Sequence, residues 1–189
     1  MPLILTTPPV AEPLSLLEAK AHLRVPHNDD DVYISTLIIA ARRAVEQRSG
    51  LRMMTQSWSL FIDCWPNGEA QSLGLSPVSS VDDIIAFSDT DVSSTYDPAH
   101  YYLDAVAKPA RVILRNGRLP PRGYRPVNNI EIRFKAGFGA TSANVPQDLR
   151  QAMLLAIGYW FQNRGDVAAD ALPLAVQETI NSYRVMRLS

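Results

Sequence analysis

One cysteine, Cys64, stands in a chain of 189 residues. A lone cysteine builds no internal disulfide, so a disulfide-stapled secreted scaffold is excluded and a reducing compartment is expected. Histidine is scarce too: His22, His27 and His100 are scattered, and no two share a metal-ligand spacing. No run approaches the ~18 apolar residues of a membrane span. The opening MPLILTTPPVAEPLS lacks a basic segment, and its apolar piece is too short for a signal peptide. Charge of one sign is missing as well. With a net charge of −1 and 20% charged residues, the chain is no polycation. Any contact with nucleic acid must come from a local patch. The class these absences leave is a soluble cytoplasmic protein without a membrane partner.

What is present suffices for one core, or a core with a smaller appendage: 47% of residues are hydrophobic. Prolines cluster at 8–13 and 109–126, which predicts irregular connections there. Residues 1–13 read as an extended N-terminal arm. Ser15 and Glu18 have capping-box spacing and predict a helix that stops before Pro26. A second helix is expected after Asn28 or Asp29 as cap, with Asp30 and Asp31 on the positive end of its dipole. Val32, Leu37, Ile38, Ala41, Ala44 and Val45 recur at helical spacing. Arg42, Arg43 and Arg48 lie toward its C-terminal end, and Gly50 suits the position that ends it.

The period then changes to two. In TQSWSLFID, Gln56, Trp58, Leu60 and Ile62 alternate with Thr55, Ser57, Ser59 and Phe61, which is strand chemistry. Further strands are predicted at 81–87, 111–115 and 129–135. Asn116-Gly117 is a hairpin-turn signal, because both central residues of such a turn need positive φ. Helix returns at Pro146. Leu149, Ala152, Met153, Ala156, Ile157 and Trp160 form one apolar face, while Leu154, Leu155, Tyr159 and Phe161 cover much of the rest. Such a helix is central to a bundle or buried by another chain, so Met153, Ile157, Trp160 and Phe161 are candidate core or subunit-interface residues. Gln162, Asn163 and Arg164 read as its exposed end, closed by Gly165. A short helix is expected over 173–182.

These elements predict an α+β protein: a small α-helical bundle of two N-terminal and two C-terminal helices with an inserted antiparallel β region. The expected divisions are 1–13 (arm), 14–52 with 140–182 (bundle), 53–139 (β region) and 183–189 (C-terminal tail).

Nothing in the sequence assembles a catalytic set. Cys64 and His100 lack the context of a nucleophile and its base. Gly137-x-Gly139 has no lysine in a phosphate-loop frame and reads as a turn. The run Asp29 to Asp31 reads as a helix start rather than a cation site. No catalytic residue, metal or cofactor is expected. Charge carries more information. Residues 82–104 hold six acids and no lysine or arginine, whereas 108–135 hold eight bases and one acid, for a net +7. Three readings stand: two solvated faces that neutralise each other within one subunit, acidic and basic patches matched between head-to-tail neighbours, or a basic face toward DNA phosphates.

The segments PLSLLEAKAHLRVPHNDDDVYISTLIIAARRAVEQRSG, IRFKAGFG with NVPQDLRQAMLLAIGYWFQNRGD, and LPLAVQETINSYRV together resemble the head–tail connector (adaptor) family of tailed phages, prophages and gene transfer agents. The resemblance spans nearly the whole chain, with 63–128 its least diagnostic part. It implies a non-enzymatic adaptor in a homo-oligomeric ring of twelve, beneath the portal protein at the head–tail junction. The ring would extend the channel for double-stranded DNA, without sequence preference, and would meet a further connector, stopper or tail protein. On this reading Arg111, Arg115, Arg118, Arg122 and Arg125 line the DNA channel or a neighbouring subunit. Tyr183, Arg184, Val185, Met186, Arg187 and Leu188 form a portal-binding tail, against the alternative that the tail packs on its own bundle. The competing function is a stand-alone nucleic-acid-binding protein that uses 108–135.

Overall fold

The computed structural model describes residues 1–67, 70–164 and 171–184. The chain forms two compact units, one from residues 1–9 and 55–138, the other from 10–54 and 139–189.

Among the described residues the first unit is all β apart from a single 3₁₀ turn. Its strands are β1 (Leu3–Thr7), β2 (Gln56–Ile62), β3 (Ala70–Ser72), β4 (Val78–Phe87), β5 (Ser93–Thr95), β6 (Tyr101–Asp104), β7 (Arg111–Leu114) and β8 (Ile130–Ala136). They build a five-stranded sheet in the order β1-β2-β8-β4-β5 and a three-stranded sheet in the order β3-β7-β6. Every pairing between these strands is antiparallel. The period-two pattern explains the faces. Leu60, Ile62, Ile130, Ile132 and Phe134 of the larger sheet share one buried cluster with Val112 and Leu114 of the smaller. Residues between them in sequence, such as Ser59, Glu131 and Arg133, lie on the other face of the larger sheet.

The extended start of the arm is paired: β1 is an edge strand, with Leu3 opposite Leu60 and Leu5 opposite Trp58. Prolines at 2, 8 and 9 exclude helix, but they flank the strand and leave its N–H groups available. One expectation for this unit, the hairpin, is corrected. The turn at Asn116-Gly117 exists, with Gly117 at φ 76° and Arg118 N–H donating to Arg115 O at 3.0 Å. It does not join a hairpin, because β7 pairs with β3 and β6 while β8 pairs with β2 and β4. The pattern of β8 matches the larger sheet on one face, and that burial outweighs the local turn preference.

The second unit holds α1 (Leu16–Leu23), α2 (Asp31–Ser49), α3 (Gln147–Gln162) and α4 (Leu174–Tyr183). The capping box at Ser15 and Glu18 is complete, and Arg24 closes α1 in the left-handed region. Asp30, not Asn28 or Asp29, occupies the N-cap of α2 and makes no side-chain capping bond. Asp30 and Asp31 are drawn into ion pairs instead, with Arg164 and Lys20. Gly50 ends α2 at φ 77°. Helix α2 buries Ile34, Leu37, Ile38, Ala41 and Val45, whereas Val32 is 82% exposed, against expectation. Helices α1, α3 and α4 all pack on α2, and α3 also contacts α1 and α4.

Candidate assembly interface

The Trp160 end of α3 is built by its neighbours. Trp160 is buried, and its Nε1 donates to Ala171 O at 2.8 Å, which fixes the entry to α4. Met153 and Ile157 are fully buried in the same stripe. Phe161 is half-buried beside Tyr33 of α2, ring centroids 6.1 Å apart. Arg164 is more than an exposed end. Its guanidinium lies 4.4 Å from the Tyr33 ring and 4.3 Å from the Phe161 ring, and it pairs with Asp30 at 2.9 Å. A guanidinium over aromatic faces with a carboxylate on its edge ties α3 to the start of α2. Gly165, the expected stop, lies outside the described residues. Helix α3 is apolar all round in sequence but not buried all round: Leu155 and Tyr159 are each 37% exposed.

Arg42, placed by sequence near a favourable helix end, is buried instead. Its Nε and Nη2 donate to Glu12 at 2.7 and 3.1 Å, and its Nη1 to Glu46 at 3.0 Å. Glu46 Oε1 also accepts from the Met53 N–H at 2.8 Å. One charge cluster thus holds the segments before α1 and after α2 against α2.

The expected cationic face divides. Arg111 pairs with Asp104 at 2.9 Å, and Lys135 with Asp82 at 3.6 Å. Arg125 pairs with Asp91 and lies 4.1 Å over the Phe87 ring. Arg133 grips Glu131 through Nε and Nη2 at 2.9 and 3.0 Å, while Ser59 Oγ donates to the same carboxylate at 2.7 Å. Burial alone would raise the Glu131 pKa; those donors outweigh it and hold the group below its usual value. Arg115 stacks 3.6 Å over the Tyr102 ring. Among the described residues Lys108, Arg118 and Arg122 have no acidic partner. Much of the opposition between the acidic and basic blocks is therefore settled within one subunit.

The loop carrying Arg118 and Arg122 is anchored. Tyr96 Oη donates to Leu119 O at 2.6 Å, and Tyr124 N–H to Phe87 O at 2.8 Å. Asn128, at φ 51°, gives its N–H to Asp63 at 2.6 Å. A Cβ at Gly123 would stand 1.6 Å from Asn129 Oδ1 and 2.7 Å from Phe87 O, so only glycine permits this approach. Leu119, Tyr124 and Val127 stay exposed on the loop. Exposed apolar side chains beside unpaired arginines are the composition of a protein interface.

Of the expected tail, Tyr183 is the last residue of α4, and its Oη donates to Asp148 Oδ2 at 2.7 Å. That bond, and secondarily burial, pushes the Tyr183 pKa up to about 12. Arg184 caps the helix. Val185, Met186, Arg187 and Leu188 lie outside the described residues.

A helical unit and a β unit with anchored, partly apolar surfaces suit a protein that assembles with others. The comparisons with known proteins agree. The family model described as phage gp6-like head-tail connector protein matches residues 13–87. Among solved structures, the chain is similar to one in the neck of an empty gene transfer agent particle resolved with C6 symmetry, at TM-score 0.86 and 27% identity, covering 100% of this chain and 98% of that one. It is similar, at 0.86 and 26% with the same coverage, to a chain of the virion of a native gene transfer agent particle. A native neck resolved with C12 symmetry gives 0.85 and 26%, again with that coverage. No curated protein matches in sequence. The family match over 13–87 and the likeness to the gene transfer agent necks support a head–tail connector protein of the phage and gene transfer agent type. Its role is structural rather than enzymatic, at the head–tail junction of the particle, and the symmetry of those necks fits a ring of copies.

Proposed function

We propose that twelve copies of this chain close a ring beneath the portal protein, continue the channel for double-stranded DNA, and present a platform to the next connector, stopper or tail protein. The observation that carries this reading is the likeness over the full chain to a component of a neck with C12 symmetry. Arg118 and Arg122 are the loop arginines available to DNA or to a neighbouring subunit, since their charge has no acidic partner among the described residues. Arg111 and Arg125 are paired with Asp104 and Asp91, and Arg115 lies over the Tyr102 ring. The segment 184–188 reaches the portal, with Tyr183 as its fixed point. Two arginines with three apolar residues suit an interface anchor. Mass photometry of the protein mixed with its portal, at micromolar concentration in low salt, tests the reading. A complex with twelve added subunits is expected. Absence of any complex would overturn it.

A further inference from the structure

Helix α1 and the residues after it enclose an open groove of ≈740 Å³, lined by Leu16, Leu17, Ala21, Arg24, Val25 and Pro26 among others. Leu17 is 78% exposed at its edge. Arg24, held at φ 57°, is the lining cation without a partner; the other, Lys20, is paired with Asp31 at 2.6 Å. The occupant of such a groove should be apolar and carry one acid.

The helical unit offers one such surface. Its other described acids are engaged: Glu12 and Glu46 with Arg42, Glu18 with Arg150, Asp29 with His27, Asp30 with Arg164, Asp31 with Lys20, and Asp148 with Tyr183. Glu178 has no partner among the described residues. It lies on α4 one turn beyond Leu174, which is 70% exposed, so the two share a face.

The groove and this face cannot meet within one subunit. Arg150 of α3 bonds Glu18 and Pro13 O, and a Cβ at Gly158 would stand 3.4 Å from His22, so that side of α3 faces α1. Asp148, two residues from Arg150 and so about 200° round the helix, bonds Tyr183 of α4. Helices α1 and α4 therefore flank α3 from opposite sides. Two different, complementary patches that point apart are what a head-to-tail contact between copies uses, and such contacts close rings.

We infer that the α1 groove receives α4 of the next copy, with Leu174 seated against Leu16, Leu17 and Val25 and Glu178 paired with Arg24. This contact rests on the ring reading above. The test uses full-length chain assembled on its portal. In a Cys64→Ser background, Leu17→Cys with Leu174→Cys should give a ladder of disulfide-linked multimers, since bridging needs Cα atoms within ~7 Å. Arg24→Glu and Glu178→Arg should each cut ring yield about tenfold, and the double swap should restore it. All these sites are exposed, so the melting temperature of the free subunit should not change. A ring in the wild type, with no ladder and no rescue by the double swap, would overturn the contact and leave the ring reading intact. A wild type without a ring on its portal would sink both.

Discussion

Tyr183 at the end of α4 donates its phenol to Asp148 in the first turn of α3, 2.7 Å away. This bond ties the end of α4 to the start of α3. A group with a raised pKa stabilises the fold fully below its ordinary value. Here that value is 10.0, and the contribution is lost as pH rises through about 12. We predict that the Tyr183 phenolate signal at 295 nm titrates near 12, and that Asp148→Asn brings it down toward 10. Tyr183→Phe should cost about 0.5–1 kcal/mol in denaturant unfolding, since the bond is exposed. An unshifted titration in Asp148→Asn would refute the assignment.

Arg42 is buried between Glu12 and Glu46. Removing one partner of a buried pair leaves the other charge without compensation, at a cost of about 3 kcal/mol. Arg42→Ala should therefore lower the unfolding free energy by about that much. Arg42→Met with Glu12→Leu and Glu46→Gln should recover most of it, since the amide oxygen at position 46 can still accept from the Met53 N–H. A loss under about 1 kcal/mol in the single variant would show that the cluster is solvated.

Gly123→Ala is expected to destabilise the first unit by about 1–3 kcal/mol, the range for overpacking. The Asn129 side chain can move, but the Phe87 carbonyl is backbone and belongs to β4. The Tyr124 N–H to Phe87 O bond should weaken first, visible as faster amide exchange at Tyr124. Wild-type stability with unchanged exchange would mean the loop lies further from β4.

Arg118→Gln with Arg122→Gln should leave the melting temperature within about 1 °C of wild type, because exposed unpaired charges contribute little to stability. DNA retention or ring yield of assembled particles should fall at low salt, and the gap to wild type should close as salt rises, given a Debye length of about 8 Å at physiological ionic strength. Unchanged retention and yield would leave these arginines as solvent-facing charges.

Local signals were legible wherever they concern neighbours a few residues apart. The capping box of Ser15 and Glu18, the glycine that ends α2, and the apolar stripe from Leu149 to Trp160 could all be read from spacing, because a helix closes its hydrogen bonds within four residues. So could β2 and β8, whose alternation marks one buried face. The family resemblance was carried by those same segments. Pairings between distant residues were not legible. The sequence 3–7 says nothing of Leu60, since a strand's partner is chosen by the whole sheet. The Asn116-Gly117 turn could not announce that β7 and β8 join different sheets. Nor could counts of acids and bases show that Arg111, Arg125 and Lys135 find Asp104, Asp91 and Asp82, because Coulomb attraction depends on separation in space. Tertiary structure alone decided which charges remained unpaired among the described residues, Arg24, Arg118, Arg122 and Glu178 among them.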